Sequence, residues 1–170
     1  MKRILTLTVN SAVDGGGGVN VSRAIRKLGG EFVAIYLAGG LTGQAFGSLL
    51  DREAVEHRAI AIQGWTRENF SALESATGQQ YRFVLPGPAV SEAEWTQYLD
   101  VVRAFEPAPD FLVASGSLPP GVPDDFYTRL ARIACERGMR MILDTSGPAL
   151  REALRGKLIL VKPSLRELRT

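Results

Sequence analysis

Four consecutive glycines, Gly15 to Gly18, stand between a strand-like run and a helix-like run, and no other feature narrows the possible folds as much. Before them, Ile4 to Val9 is an alternating, β-branched, apolar stretch; after them, Val21, Ala24, Ile25 and Leu28 recur at helical spacing until Gly29-Gly30 ends the pattern. The order is therefore strand, glycine turn, helix. Glycine loses more backbone freedom on folding than any other residue, so such a run is tolerated where the chain needs positive φ or where a ligand must approach its peptide groups. From the glycines alone, a loose βα connection remains an equal alternative.

Two common phosphate-binding loops are excluded by the letters. A P-loop ends in Gly-Lys-Ser/Thr, whereas Gly18 is followed by Val19-Asn20. A dinucleotide fingerprint needs an acid at the end of the next strand, yet Glu31 to Leu37 runs into Ala38-Gly39-Gly40. What remains at the first strand's carboxyl end is Asn10, Asp14, the glycine amides and Asn20. Carboxylate and carboxamide groups both bond hydroxyls, so the cluster suits a polyhydroxylated ligand.

Further along, the strand, glycine turn, helix pattern repeats, with a helix predicted from about Thr42 to Glu53, and two such units in succession argue for a parallel sheet. His57 lies in the next connection and reads as a solvated loop residue. After a short strand, Ala59 to Ile62, the segments Asn69 to Glu74 and Gln79 to Leu85 flank Ser75-Ala76-Thr77-Gly78 and predict a β-hairpin. Helix-coated parallel sheets rarely need one, so residues 64–86 are expected to project as a lid over the glycine turns. Arg67 and Arg82 could then present two guanidinium forks suited to a phosphate, although either alone is more often a surface charge.

Ser91-Glu92-Ala93-Glu94 is a capping box that opens a helix to about Phe105, with Trp95, Leu99 and Val102 inward. The strand Phe111 to Ala114 ends in Ser115-Gly116-Ser117, which lacks the Gly-x-Ser-x-Gly nucleophile elbow. A helix from about Asp124 to Arg137 carries Cys135, read as a small core residue. The strand Arg140 to Leu143 ends at Asp144-Thr145-Ser146-Gly147, and Leu158 to Val161 ends at Lys162-Pro163-Ser164. Ser164 and Glu167 also fit a capping box that starts a helix. Every polar cluster thus falls at the carboxyl end of a strand, where open α/β sheets bind ligands.

At 170 residues and 45% hydrophobic, the chain can bury one sizeable core, and residues 1–170 read as a single α/β domain. A net charge of +2, with acids and bases interleaved, gives a nucleic acid or a membrane surface little to hold. The single cysteine excludes an internal disulfide, and the start, Met1-Lys2-Arg3, leads into a strand without a signal cleavage site. A cytoplasmic location is expected.

With these residues in hand, the chain resembles the PfkB, or ribokinase-like, family of sugar kinases, closest to its minor-type 6-phosphofructokinase group, along essentially its whole length. The resemblance is carried by Thr8 to Asp14, Gly15 to Asn20 with Ser22-Arg23-Ala24, Trp65 to Asn69, Gln80 to Val84, Ser115 to Gly121 and Lys162-Pro163-Ser164. It implies a three-layer, mostly parallel sheet with a partial β lid, and transfer of the ATP γ-phosphoryl group to the 1-hydroxyl of fructose 6-phosphate with magnesium. It also implies that Asp14, Gly17 and Asn20 hold the sugar, that Ser117 lines its site, and that Arg67 and Arg82 hold the 6-phosphate. Lys162, Ser164 and Glu167 would lie toward ATP, with Glu167 toward the metal.

Three departures accompany it. Family members place two lid strands, with a substrate-contacting lysine, between the equivalents of Asp14 and Gly15, which are adjacent here. The family asparagine after Lys-Pro is Ser164. The family's catalytic aspartate, in a Gly-Ala-Gly-Asp motif, belongs to a C-terminal part absent here, so no catalytic residue is assigned and the chain alone is expected not to turn over. Tagatose 6-phosphate or fructose 1-phosphate are alternative substrates, and a non-catalytic sugar-phosphate-binding fragment is the alternative of another class. A lid hairpin lacking two neighbours is expected either to mediate homodimer formation or to be poorly ordered.

Overall fold

The computed structural model describes residues 2–162. Six parallel strands lie in the order β3-β2-β1-β6-β7-β8. They are β1 (Arg3–Thr8), β2 (Glu31–Ala38), β3 (His57–Ala61), β6 (Phe111–Ser115), β7 (Arg140–Asp144) and β8 (Leu160–Val161). The intervening β4 (Phe70–Leu73) and β5 (Gln80–Phe83) form a separate antiparallel pair. The helices are α1 (Gly17–Lys27), α2 (Gly40–Arg52), α3 (Glu92–Arg103), α4 (Phe126–Glu136) and α5 (Gly147–Ala153).

Alternation along the strands sends successive side chains to opposite faces, and each face has its own core. Leu5 and Leu7 of β1, with Ile35 and Leu37 of β2, pack with Trp95, Tyr98, Phe126, Tyr127 and Leu130 from α3 and α4. On the other face, Ala34 and Tyr36 meet Val19, Phe46 and Leu50 from α1 and α2. The expected three layers are present. Tyr98 Oη, fully buried in the first of these cores, donates to the Ile35 carbonyl at 2.9 Å. The predicted capping box opens α3, with Glu94 N–H donating to Ser91 Oγ and Ser91 N–H donating to Glu94.

The junction between Asp14 and Gly15 is a closed turn. Gly15 N–H donates to the Ala12 carbonyl and Ala12 N–H to the Gly15 carbonyl, both at 2.8 Å, so Val13 and Asp14 form the corner of a two-residue hairpin. Gly15, at φ 130°, supplies the conformation that this turn needs.

Three expectations are corrected. His57 is the first residue of β3 rather than a solvated loop residue; its ring, 16% exposed, bonds Tyr36 Oη at 3.0 Å and Asp51 Oδ1 at 3.1 Å. Cys135 is exposed rather than in the core, because Leu130, Ala131 and Ala134 turn the buried face of α4 away from it. The helix α5 was not anticipated, and β8 is shorter than its apolar run. The helix expected from Ser164 falls outside the described residues.

Two glycine substitutions should have opposite signs. A Cβ on Gly18 would sit 2.2 Å from the Leu7 carbonyl oxygen, so Gly18→Ala should lose roughly 2 kcal/mol of stability. A Cβ on Gly47, inside α2, would meet only Tyr36 Oη at 3.5 Å and His57 Cε1 at 3.8 Å, so Gly47→Ala should gain about 0.5 kcal/mol. Urea denaturation of both variants measures the difference.

Candidate functional site

From β1 the chain moves through β2 to β3 on one side, then crosses to β6, β7 and β8 on the other, which makes the β1/β6 boundary the sheet's topological switch point. Crevices at the carboxyl ends of such strands are where open α/β sheets take ligands. Asn10, just past β1, spans this crevice by donating from Nδ2 to Ser117 Oγ, just past β6, at 2.9 Å. Its Oδ1 is buried and has no hydrogen-bond partner among the described residues.

Beside it, α1 begins against the strand backbone. A Cβ on Gly17 would lie 2.1 Å from Ser115 Oγ, so only glycine lets the helix start this close to β6. Ser115 Oγ donates to Asp144 Oδ2 at 3.0 Å, and Lys162 Nζ reaches Asp144 Oδ1 at 3.3 Å. Polar groups thus stand over the ends of β1, β6, β7 and β8.

Asp14 lies at the corner of its turn, beneath the hairpin. Asn69 Nδ2 donates to Asp14 Oδ1 at 3.1 Å, and Arg82 Nη2 stands 4.0 Å from Asp14 Oδ2. The two arginines expected to act alike are placed differently. Arg82 is exposed, whereas Arg67 donates to the Leu85 carbonyl at 2.8 Å and the Asn10 carbonyl at 3.1 Å. Val13 N–H also donates to the Arg67 carbonyl at 3.0 Å, so Arg67 roots the hairpin on the segment after β1. Its Nε is buried without a partner among the described residues, and burial lowers its pKa from the usual guanidinium value.

Asn20, on the first turns of α1, accepts at Oδ1 from Arg23 Nη1 at 2.9 Å. The same nitrogen lies 3.4 Å from the Asp14 carbonyl, while Nε and Nη2 of Arg23 fork onto Glu53 at 2.6 and 2.9 Å. The hydrogen bond from Arg23 holds the Glu53 carboxyl below its usual pKa, against a smaller opposing effect of burial. Arg23, Glu53 and Asn69 were not picked out as site residues by sequence reasoning. Arg23 stands three residues from Asn20 on one helix, a spacing that makes neighbours; Glu53 and Asn69 reach the site only through tertiary structure.

The structure brings Asp14, Gly17, Asn20, Arg82, Ser117 and Lys162 to the strand-end side of the sheet, with Arg67 at the lid root. Ser164 and Glu167 lie outside the described residues. Among the described residues there is no cluster of three His, Cys, Asp or Glu that could hold a metal ion, and no helix is long and apolar enough to cross a membrane.

Residues 10–170 match the pfkB family carbohydrate kinases, and the chain belongs to that family. It is 44% identical to the ATP-dependent 6-phosphofructokinase isozyme 2 of Mycobacterium tuberculosis over 190 residues, covering 98% of this chain and 56% of that protein. With the Escherichia coli protein of the same name it shares 47% identity over 155 residues, covering 91% and 50%. The solved structure of the phosphofructokinase-2 from Escherichia coli in complex with fructose-6-phosphate superposes with a TM-score of 0.86 at 40% identity, covering 99% of this chain and 63% of that chain. The chain spans about half the length of the curated relatives it matches.

The Arg23–Glu53 fork carries a pH signature. A carboxyl whose folded pKa is depressed contributes stability that is fully present above its unfolded value of 4.5 and is lost as pH falls through the lower folded value. Between about pH 5 and pH 3 the protein should therefore lose more stability than a Glu53→Gln variant. Parallel urea titrations across that range provide the comparison.

Proposed function

We propose that the protein serves the phosphorylation of fructose 6-phosphate by ATP to fructose 1,6-bisphosphate, in the cytoplasm, as an activity of the whole protein. The observation that carries this reading is the convergence of the Asp14 carboxylate, the Asn20 carboxamide and the exposed Arg82 guanidinium at the switch point of a carbohydrate-kinase fold. A sugar phosphate needs hydroxyl partners and a phosphate partner on one side, and these groups supply both kinds.

In this reading Asp14, Gly17, Asn20 and Ser117 hold the sugar, and Arg82, assisted by Arg67, holds the 6-phosphate. Because Arg67 already bonds two backbone carbonyls, Arg82 carries the greater part of phosphate binding and Arg67 fixes the lid that presents it. ATP supplies the γ-phosphoryl group. Lys162 would face it with Ser164 and Glu167, and Glu167 is the residue assigned to magnesium. Asp14 and Asp144 are already hydrogen-bonded, to Asn69 and to Ser115 and Lys162, and neither is assigned the role of general base.

Calorimetric titration tests the reading. Fructose 6-phosphate should bind more tightly than tagatose 6-phosphate, and Arg82→Ala should weaken binding by about 2 kcal/mol with little change in ATP affinity. An absence of sugar-phosphate binding by the wild-type protein, or an unaltered affinity in the variant, would overturn the assignment.

The reading includes a homodimer formed through the lid. A two-stranded hairpin is marginal alone, and β4 and β5 are exposed throughout, with Phe70, Leu73 and Phe83 at 55%, 70% and 46% exposure. Sedimentation should show a dimer at micromolar concentration, and Leu73→Asp should shift it to monomer; a wild-type monomer with an ordered hairpin would refute the arrangement.

A further inference from the structure

We infer that Arg23 and Glu53 form a positioning pair that holds the Asn20 carboxamide in one orientation, with its oxygen inward and its nitrogen presented to the sugar. The inference rests on the proposed sugar role of Asn20 and extends it to two residues that touch no ligand. Arginine offers only donors, so the Asn20 atom 2.9 Å from Arg23 Nη1 is the oxygen, and the flip of the amide is fixed by chemistry. The two N–H groups then face away from Arg23, at a residue exposed on the strand-end surface. With the carboxamide so held, Asn20 presents donors and matches the acceptor lone pairs of sugar oxygens, while Asp14 presents acceptors.

Arg23 could not hold this geometry unaided, because a long side chain at a helix surface samples many rotamers. Its fork onto Glu53, at 2.6 and 2.9 Å, removes that freedom by tying it to the residue that ends α2. Gly15 completes the arrangement: a Cβ there would lie 2.7 Å from Arg23 Nη1 and 3.1 Å from Asn20 Oδ1, so the guanidinium occupies space that only glycine leaves open. The same guanidinium lies 3.4 Å from the Asp14 carbonyl, and thus links both sugar-facing residues.

A double-mutant cycle separates positioning from general structural support. Arg23→Lys keeps the charge and loses the fork. It should weaken fructose 6-phosphate binding about tenfold when Asn20 is present, and less than about twofold in an Asn20→Ala background. Equal losses in both backgrounds would overturn the inference. Glu53→Gln, which weakens the fork from its far end, repeats the cycle should Arg23→Lys fold poorly. Without ligand, ¹⁵N relaxation of the Asn20 side-chain amide should report a rigid group in the wild type and a mobile one in Arg23→Lys; equal mobility in both would also overturn it. If the wild-type protein binds no sugar phosphate, the functional reading fails and with it the role toward sugar, while relaxation still decides whether the clamp exists.

Discussion

Bare backbone at Gly17 and Gly18 is the constraint on which the rest of this molecule depends. Side chains there would collide with Ser115 and with the Leu7 carbonyl, so α1 can rest directly on the ends of β1 and β6. The helix has no side-chain cap of its own. Instead, Thr8 Oγ1, buried on β1, accepts from Val19 N–H at 3.1 Å and satisfies a donor that an N-cap residue would ordinarily take. A second buried contact, Thr6 Oγ1 to Ser22 Oγ at 2.5 Å, fixes the helix one turn further on. Threonines on that face of β1, where an apolar residue would serve packing alone, therefore register the helix against the sheet.

The hairpin and the strand ends are joined by backbone as much as by side chains. Ala12 pairs with Gly15 on one side and bridges Arg67 on the other, so the turn that carries Asp14 is also the attachment of the lid. The direct junction of Asp14 to Gly15, where family members are expected to insert two strands, is accommodated by this closed turn without opening the sheet.

Local grammar makes much of the architecture legible in the sequence. Periodicity and glycine punctuation locate the strands, the hairpin and four of the five helices among the described residues, because each of those elements carries its own signal over enough residues. The helix α5 escaped because its seven residues are too few for a periodic pattern to emerge. Cys135 could have been placed correctly, since the spacing of Leu130, Ala131 and Ala134 already points the apolar face elsewhere. His57 could not, because its partner Tyr36 is brought to it by the pairing of β2 with β3. The same distinction divides the site: Asp14, Asn20 and the glycines were visible as a local cluster, while the bonds that tie Arg67 to Asn10 and Arg23 to Glu53 are tertiary.

The pairing of β1 with β6 has a kinetic meaning. Asn10 and Ser117 are 107 residues apart, whereas β1 and β2 are joined through a single helix. Closing the longer loop costs roughly 1 kcal/mol more in chain entropy than closing one of about thirty residues, and contacts of such separation slow folding. The crevice comes into being only when those two distant strands meet. A chain in which β1, β2 and β3 have zipped together with α1 and α2 would own most of one core and only one wall of the candidate cleft, the wall that carries Asp14 and Asn20, which makes closure of that cleft against Ser117 a reporter of completed folding.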